Sequence, residues 1–397
     1  MEGKKLLFIA DALGVEACGA KTVTYSHLNI LKSIFGEENV EAINLSGVHR
    51  EKDTDYLSIS ISNNFTVRIF NLLCGYTGRI NRKITEELLA IIEHSQYDFV
   101  FVDVSTYGKL IKAIKGRFPH IVILSYYADV KANLCREWIR NNWLKTIIFL
   151  NLMRNEKLTQ KYCDINLVLN AREKREFTKY YPESQCDILK IPISSQCIDR
   201  ETKVLEKPLK ILFLGAYYYP NVNGIDWFVK EVFGKLDFSV KLQISGNGME
   251  VLKTKYANIQ EIQVTGRVDD LKAAYMDCDL VIGPIFEGAG MKVKTAEAFS
   301  FGKCYVGTQE SLEGYYEDIP IELKNKYIYK ADSIEAFIMA IKTIRGDTSL
   351  NKFNEAVFEF FEENYSRIVI KNKLERIIEE HEGIEHDGKT ISPHNID

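Results

Sequence analysis

The densest run of residues suited to chemistry is Pro284-Ile-Phe-Glu-Gly-Ala-Gly-Met-Lys-Val-Lys-Thr-Ala-Glu-Ala-Phe-Ser-Phe-Gly-Lys303. It follows a short apolar stretch, Leu280–Gly283, and opens a helical pattern. Gly288 and Gly290 let the backbone approach a ligand closely, and unpaired amides at a helix start favour an anion such as a diphosphate. Lys292 adds a full positive charge. Glu297, about two turns into the expected helix, is placed to accept hydrogen bonds from vicinal hydroxyls such as those of a ribose. An ordinary strand-loop-helix turn with a solvated Glu and Lys face uses the same residue types. The order of strand, glycine loop and helix, with these neighbours, favours anion binding.

Other candidates are less explicit. Gly19 and Lys21 follow the first expected strand and precede a helix, so they suit a phosphate or an acceptor, or simply a glycine-rich turn. Asp129, in Tyr126-Tyr127-Ala-Asp129-Val-Lys131, can hydrogen-bond an acceptor hydroxyl or cap a helix. Asp277-Cys-Asp279 has the form of a metal-binding pair but directly precedes a buried strand, where such carboxylates more often end a helix; no metal and no cofactor is assigned. Asp53-Thr-Asp55 reads as a solvated loop, and the seven histidines form no cluster. Eight scattered cysteines, with no Cys-x-x-Cys, read as reduced thiols of a cytosolic protein. The segment 134–162 mixes Trp138, Trp143, Ile147, Ile148, Phe149 and Leu150 with Arg136, Arg140, Lys145, Arg154, Lys157 and Lys161. Its apolar face either packs on its own sheet or lies on an anionic membrane.

These residues need a scaffold of two domains, the expectation for 397 residues. With 46% hydrophobic and 27% charged residues the chain can bury sizeable cores, and a net charge of −4 gives nucleic acid no general attraction. Short apolar runs alternate with helical patterns, the signature of parallel strands with crossover helices. The expected strands are Lys5–Ala10, Val40–Leu45, Tyr97–Val104, Ile121–Tyr126, Ile165–Leu169 and Ile188–Ile191, then Lys210–Leu214, Val240–Ser245, Ile259–Val264, Leu280–Gly283 and Cys304–Gly307. Helical patterns in the second half include Asp226–Phe233 and Asp269–Met276. The fold class is therefore α/β, with doubly wound domains at 1–195 and 210–350, a linker at 196–209, closing helices at 351–382 and a mobile tail at 383–397. Ligands of such sheets bind outside the carboxyl ends of the strands, which places the site in a cleft between the domains.

The run Gly288-Ala-Gly-Met-Lys292-Val-Lys294-Thr-Ala-Glu297-Ala, followed by Phe301-Gly-Lys-Cys-Tyr-Val306, resembles the donor-site signature of bacterial retaining glycosyltransferases of the family 4 (group 1) type. Two further blocks resemble the same family in order and spacing: Phe213-Leu-Gly215 through Trp227-Phe228, and Val264-Thr-Gly266-Arg267-Val268-Asp-Asp-Leu271. Glu363-Asn-Tyr-Ser-Arg367 is similar to the family's segment that returns to the first domain. The resemblance implies a GT-B fold of two Rossmann-like domains. It implies a nucleotide-sugar donor, with Glu297 on the ribose, Gly290, Met291 and Lys292 facing the diphosphate, and Arg267 and Val268 flanking the base. Gly19, Gly215, Asn221, Gly266 and Gly288 complete the expected binding set, and Lys292, Glu297 and Asp129 the expected catalytic set. Transfer with retention, to a glycan or lipid-linked acceptor in bacterial surface polysaccharide assembly, follows from the same likeness. The scattered thiols and the basic amphipathic segment add the expectation of a cytoplasmic, metal-independent enzyme with peripheral membrane contact through 134–162. The chain departs from the family in three places. Ala289 occupies the position of the first of two glutamates, with Glu287 two residues upstream; the loop aligned to Tyr217–Gly224 lacks an Arg and a Lys; and no His-Asn-x-Glu motif follows Tyr126. A nucleotide-sugar 2-epimerase and a degenerate scaffold for an active partner are the alternatives.

Overall fold

A computed structural model describes residues 1, 3–14, 19–46, 56–60, 64–77, 80–132, 146–193, 203–268, 270–288 and 290–383. Asp53-Thr-Asp55, residues 134–145 of the basic segment, 196–202 of the linker, Ala289 and the tail beyond Gly383 fall outside these. Two all-parallel sheets organise the chain. The first has seven strands, β1 (Leu6–Ala10), β2 (Val40–Ser46), β3 (Leu57–Ser60), β4 (Phe99–Val102), β5 (Val122–Tyr127), β6 (Ile165–Val168) and β7 (Asp187–Ile188), in the order β3-β2-β1-β4-β5-β6-β7. The second has six, β8 (Leu209–Leu214), β9 (Val240–Ser245), β10 (Ile262–Val264), β11 (Leu280–Gly283), β12 (Cys304–Gly307) and β13 (Ile328–Lys330), in the order β10-β9-β8-β11-β12-β13. Strand order reverses between β1 and β4, where Leu6 pairs with both Val40 and Phe99, and again between β8 and β11. Each reversal opens a crevice at the carboxyl edge of its sheet. The two doubly wound α/β units expected from the sequence are thus the observed architecture.

The central strands form because they are uninterrupted apolar runs: Leu-Leu-Phe-Ile-Ala in β1 and Leu-Val-Ile-Gly in β11 are buried along their whole length. Several boundaries differ from the sequence expectation. Strands β3 and β13 are additional. β10 starts at Ile262 because Ile259 to Ile262 form a turn, with the Ile262 amide bonded to the Ile259 carbonyl. β7 is only Asp187–Ile188. The stretch expected as a loop before Asp226 is a helix, Tyr219–Trp227, which Pro220 starts and a π-helical segment, Phe228–Val232, extends. The helix after the glycine loop is Val293–Ser300, so Glu297 lies one turn into it rather than two.

Asp279 is buried before β11 and accepts the backbone amides of Lys210 (2.7 Å) and Glu206 (3.1 Å), while Asp277 pairs with the Lys210 ammonium at 2.6 Å. The Asp-x-Asp motif therefore pins the start of the second sheet. One continuous core joins Leu6, Phe8 and Phe101 of the first sheet to Phe299 and Tyr305 of the second unit and Phe361 of the closing helices. Helices Glu355–Tyr365 and Arg367–His381 lead back to the first unit, with Ser366 capping the second of them. Across the junction the Ile193 amide donates to the Tyr365 carbonyl and the Ile193 carbonyl accepts the Arg367 amide, both at 3.1 Å, and the Arg367 guanidinium donates to the Asn29 carbonyl at 2.9 Å. Among the described residues no helix is long and apolar enough to cross a membrane.

Candidate active site in the interdomain cleft

A cleft of about 1030 Å³ lies between the carboxyl edges of the two sheets. Gly19 and Asp129 line it from the first unit, and Gly215, Asn221, Arg267, Val268, Gly288, Gly290, Met291, Lys292 and Glu297 from the second. Of the expected binding and catalytic sets Gly266 alone does not line the cleft: its carbonyl accepts the Gly246 amide at 3.0 Å, and a Cβ there would lie 2.5 Å from the Glu250 carboxylate. Lys21 does not line the cleft either; its ammonium lies over the Tyr25 ring.

The second-unit wall is built by the turn that follows β11. Gly288 and Gly290 have φ of 140° and 70°, values that favour glycine, and Lys292 is the residue before the helix Val293–Ser300. Thr295, Ala296, Ala298 and Phe299 bury the helix against β12 and the closing helices, leaving Lys294 and Glu297 on the cleft side. Thr295 is held by the Tyr305 hydroxyl (3.0 Å) and the Ser311 carbonyl (2.8 Å). Lys292 lines the cleft, yet its ammonium is already engaged by Glu310 at 2.7 Å and the Gly290 carbonyl at 2.8 Å.

Lys294 was not singled out from the sequence, and it completes the wall. Its ammonium donates to Asn221 Oδ1 at 3.0 Å, and a Cβ on Gly215 would lie 2.9 Å from it. Glycine at 215 therefore leaves room for the Lys294–Asn221 pair. Burial pushes the Lys294 ammonium down to about 8, against the pull of the Glu297 carboxylate, with Lys292 adding to the fall. Burial likewise raises Glu297, while Lys294 and the Tyr275 hydroxyl, 3.4 Å from Oε2, act to lower it. The loop aligned to Tyr217–Gly224 carries no cation of its own, but Asn221 in its helix positions one from elsewhere. Glu297 also borders a second cavity of about 400 Å³, between helices Gly19–Phe35 and Leu271–Asp277.

The opposite wall carries the carboxylates Asp11, Asp103 and Asp129. The Tyr107 hydroxyl donates to Asp11 at 2.9 Å, and Asp129 pairs with Lys131. Asp103 follows β4 and is gripped from the helix Gly19–Phe35: Thr24 donates to Oδ2 at 2.6 Å, and His27 Nδ1 lies 2.9 Å from Oδ1. His27 and Asp103 are both buried, and their positions 76 apart in the chain carry no local signal of a pair. The His27 ring packs edge-on to Tyr126 at 4.4 Å. His27 Nε2 and the Tyr126 hydroxyl have no hydrogen-bond partner among the described residues. The turn carrying Asp129 is held by two buried carboxylates. Glu173 accepts the Val130 amide at 2.7 Å; Glu156 accepts the amides of Lys131 (2.9 Å) and Ala132 (3.0 Å) and the Tyr181 hydroxyl (2.9 Å). Burial pushes Glu156 up to about 7 against these hydrogen bonds.

One wall thus presents the ammonium groups of Lys292 and Lys294 beside a helix start, a setting suited to a phosphate, and the other presents carboxylates suited to hydroxyls. Residues 208–347 match the family model described as Glycosyl transferases group 1. No curated protein sequence matches the chain. In fold it is similar to the lipopolysaccharide outer core galactosyltransferase WaaB, apo form, at a TM-score of 0.68 and 13% identity, with 94% of this chain and 99% of that one covered. It is similar to Alr3699/HepE of Anabaena in complex with UDP, at 0.68 and 11% identity, with 95% and 100% covered. A glycosyltransferase from Rickettsia africae ESF-5 gives 0.67 and 14%, with 96% and 99% covered.

Proposed function

We propose that this chain, whose residues 208–347 match the group 1 glycosyltransferase model and whose fold is similar to that of a galactosyltransferase, moves a sugar from a nucleoside diphosphate to a glycan or lipid-linked acceptor, with retention at the anomeric carbon. The observation that carries this reading is the cleft wall formed by Lys294 paired with Asn221, by Gly288 and Gly290, and by the start of the helix Val293–Ser300, with Glu297 one turn deeper. A leaving diphosphate gains negative charge as the glycosidic bond breaks, and preorganised amides and an ammonium stabilise that change more than the ground state. Lys294 is better placed for this than Lys292, whose charge is matched by Glu310. Glu297 accepts the ribose hydroxyls. The acceptor lies along Asp11, Asp103 and Asp129, and its hydroxyl proton passes to a donor phosphate oxygen. The UDP complex of the similarly folded HepE supports a nucleoside diphosphate donor. Surface polysaccharide assembly in bacteria is the setting we infer.

A nucleotide-sugar epimerase is the second reading, favoured by one observation: Asp103, which lines the cleft, is paired with the buried His27 behind it. The two readings separate by experiment. The purified protein is screened by thermal shift against UDP, GDP, ADP, CMP and their sugar conjugates, and one diphosphate is expected to raise the melting temperature selectively. A hundredfold excess over Kd stabilises by about 2.7 kcal/mol. Glu297→Gln should weaken that nucleotide and leave the fold intact. Turnover that requires an added acceptor excludes the epimerase and an inactive scaffold; sugar conversion without one sinks the transferase reading.

A further inference from the structure

A group of aromatic side chains stands exposed beside the cleft. Tyr217, Tyr218 and Tyr219 lead into the helix Tyr219–Trp227, and the last two are 65% and 60% exposed. Phe286, in the turn after β11, is 43% exposed. Leaving several such rings in water is unfavourable, and an apolar patch edged by polar groups marks a binding surface. The rings are also held in place. The Tyr217 amide donates to the Asn247 carbonyl at 2.7 Å, and the Tyr218 carbonyl accepts the amides of Asn221 and Val222 at 2.9 and 3.0 Å. The Phe286 ring packs edge-on against Trp227 at 4.6 Å, and Trp227 packs in turn against the buried Phe337 at 5.4 Å. The Tyr219 hydroxyl lies 3.5 Å from Glu287 Oε1, so the start of the helix sits beside the turn that carries Phe286.

Tyr218 and Glu287 also line the cleft, so the aromatic surface continues outward from the candidate active site. Charge narrows what can occupy it. Residues 215–227 and 280–288, which build it, include no Lys, Arg or His, and their charged residues are Asp226 and Glu287. A nucleic acid or an anionic headgroup needs cations beside the rings it meets, and here it finds carboxylates. A neutral sugar ring suits both features. Its C–H face lies on the electron-rich face of an aromatic ring, and its hydroxyls donate to a carboxylate at the edge.

We propose that Tyr219 and Phe286, joined to the cleft by Tyr218 and Glu287, form a subsite for a neutral sugar ring of the acceptor, set back from the hydroxyl that reacts. The acceptor is then an oligosaccharide chain rather than a single sugar. Tyrosine and phenylalanine offer rigid ring area at low entropic cost, since only two side-chain angles are frozen on binding. Recognition of the outer ring is tolerant of sugar type, because stacking reads a C–H face rather than one pattern of hydroxyls. Naming the ligand an acceptor rests on the transferase reading; the subsite itself is read out by binding, without turnover.

Saturation-transfer NMR of the full chain with maltohexaose, cellohexaose and glucose tests this. At least one hexamer should receive saturation on its ring protons and bind more tightly than glucose. Tyr219→Ala with Phe286→Ala alters two positions that do not line the cleft, and should weaken that hexamer about tenfold, the loss expected from two aromatic contacts. The melting temperature and its shift by the nucleotide from the thermal screen should both be retained, which shows that the fold and the donor site persist. Tyr219→Ala alone should weaken the hexamer about threefold, and it keeps the test open if loss of Phe286 unseats Trp227. Tyr219→Phe should bind like the parent, because the ring face and not the hydroxyl makes the contact. The subsite is overturned if the folded parent binds neither hexamer, if glucose binds as tightly as they do, if the alanine variants bind like the parent, or if Tyr219→Phe loses as much as Tyr219→Ala. Loss of the nucleotide rather than the hexamer in a folded alanine variant would assign the rings to the base instead. A parent that binds a hexamer but no nucleotide would keep the subsite and sink the transferase reading, so the two claims fail separately.

Discussion

An ammonium taken out of water is costly unless something recovers the lost solvation, and Lys294 recovers it only in part, through Asn221 and the nearby Glu297. That incomplete compensation suits a group whose full partner arrives with the substrate. Lys294→Ala should weaken a nucleoside diphosphate about ten- to hundredfold, the worth of a charge-assisted hydrogen bond, and leave the corresponding nucleoside nearly unaffected. Because its pKa is near 8, the ammonium is lost as pH rises through that value, so diphosphate affinity should fall between about pH 7.5 and about pH 9.5 and the fall should flatten in the alanine variant. Calorimetric titration of the nucleotide selected by the thermal screen measures both. An unchanged pH profile in Lys294→Ala would remove Lys294 from the diphosphate site. Glu297 and the glycine turn are legible in the sequence because they sit within one continuous stretch. Lys294 sits in the same stretch, but its distinction from Lys292 depends on Glu310, which is distant from the motif. The His27–Asp103 pair becomes visible only when a helix and a strand far apart in the chain are packed together.

The helix Tyr219–Trp227 sets where Asn221 stands, and its seating depends on backbone contact. A Cβ on Gly224 would lie 1.9 Å from the Pro284 carbonyl oxygen, so the helix rests directly on the turn after β11. Gly224→Ala should therefore destabilise by about 1–3 kcal/mol through overpacking. It should also weaken nucleotide binding, because relieving the clash shifts the helix that carries Asn221 or the turn after β11, and both border the donor wall. Gly234→Ala is the control, since nothing lies within 4 Å of a Cβ there, and it should melt like the parent. Equal melting temperatures for both variants would mean that the helix is not seated on that carbonyl. Why this helix is hard to read beforehand follows from the same contact: Pro220 and Gly224 are loop formers by local preference, and only packing shows that Pro220 starts the helix and Gly224 fits it to its neighbour. Central strands such as β1 and β11 are legible because burial on both faces leaves an unbroken apolar run. The edge strands Leu57–Ser60 and Ile328–Lys330 are short and partly polar, and their neighbours rather than their residues decide that they pair.

Across the whole molecule, the shared core, the returning helix and the ion pairs Arg175–Glu317 and Lys190–Asp318 hold the two units around the cleft. Buried carboxylates accompany that arrangement in both units: Glu156 and Glu173 beside the acceptor wall, Asp279 under β8, and Glu297 in the donor wall. Burial raises all four, against the hydrogen bonds and cations around them. A carboxyl whose folded pKa exceeds its unfolded value binds more protons in the folded state, so its contribution is fully present below the unfolded pKa and is lost as pH rises through the folded one. For Glu156 that window runs from the ordinary carboxyl range up to about 7 and corresponds to a stability change on the order of 3 kcal/mol. The protein should accordingly grow more stable as pH falls from about 8 toward about 5, before its ion-paired surface carboxylates, such as Glu206 between Lys352 and Lys210, are protonated at lower pH. Urea denaturation midpoints across that range measure the slope. Glu156→Gln keeps one acceptor for the Lys131 amide but sets an amide group against the Ala132 amide, so the variant should be less stable throughout; the discriminating quantity is the pH slope, which should flatten. If the variant's slope matched the parent's, Glu156 would be ionised throughout the range, and the turn carrying Asp129 would be held by a full charge rather than by a carboxyl that takes up a proton near neutrality.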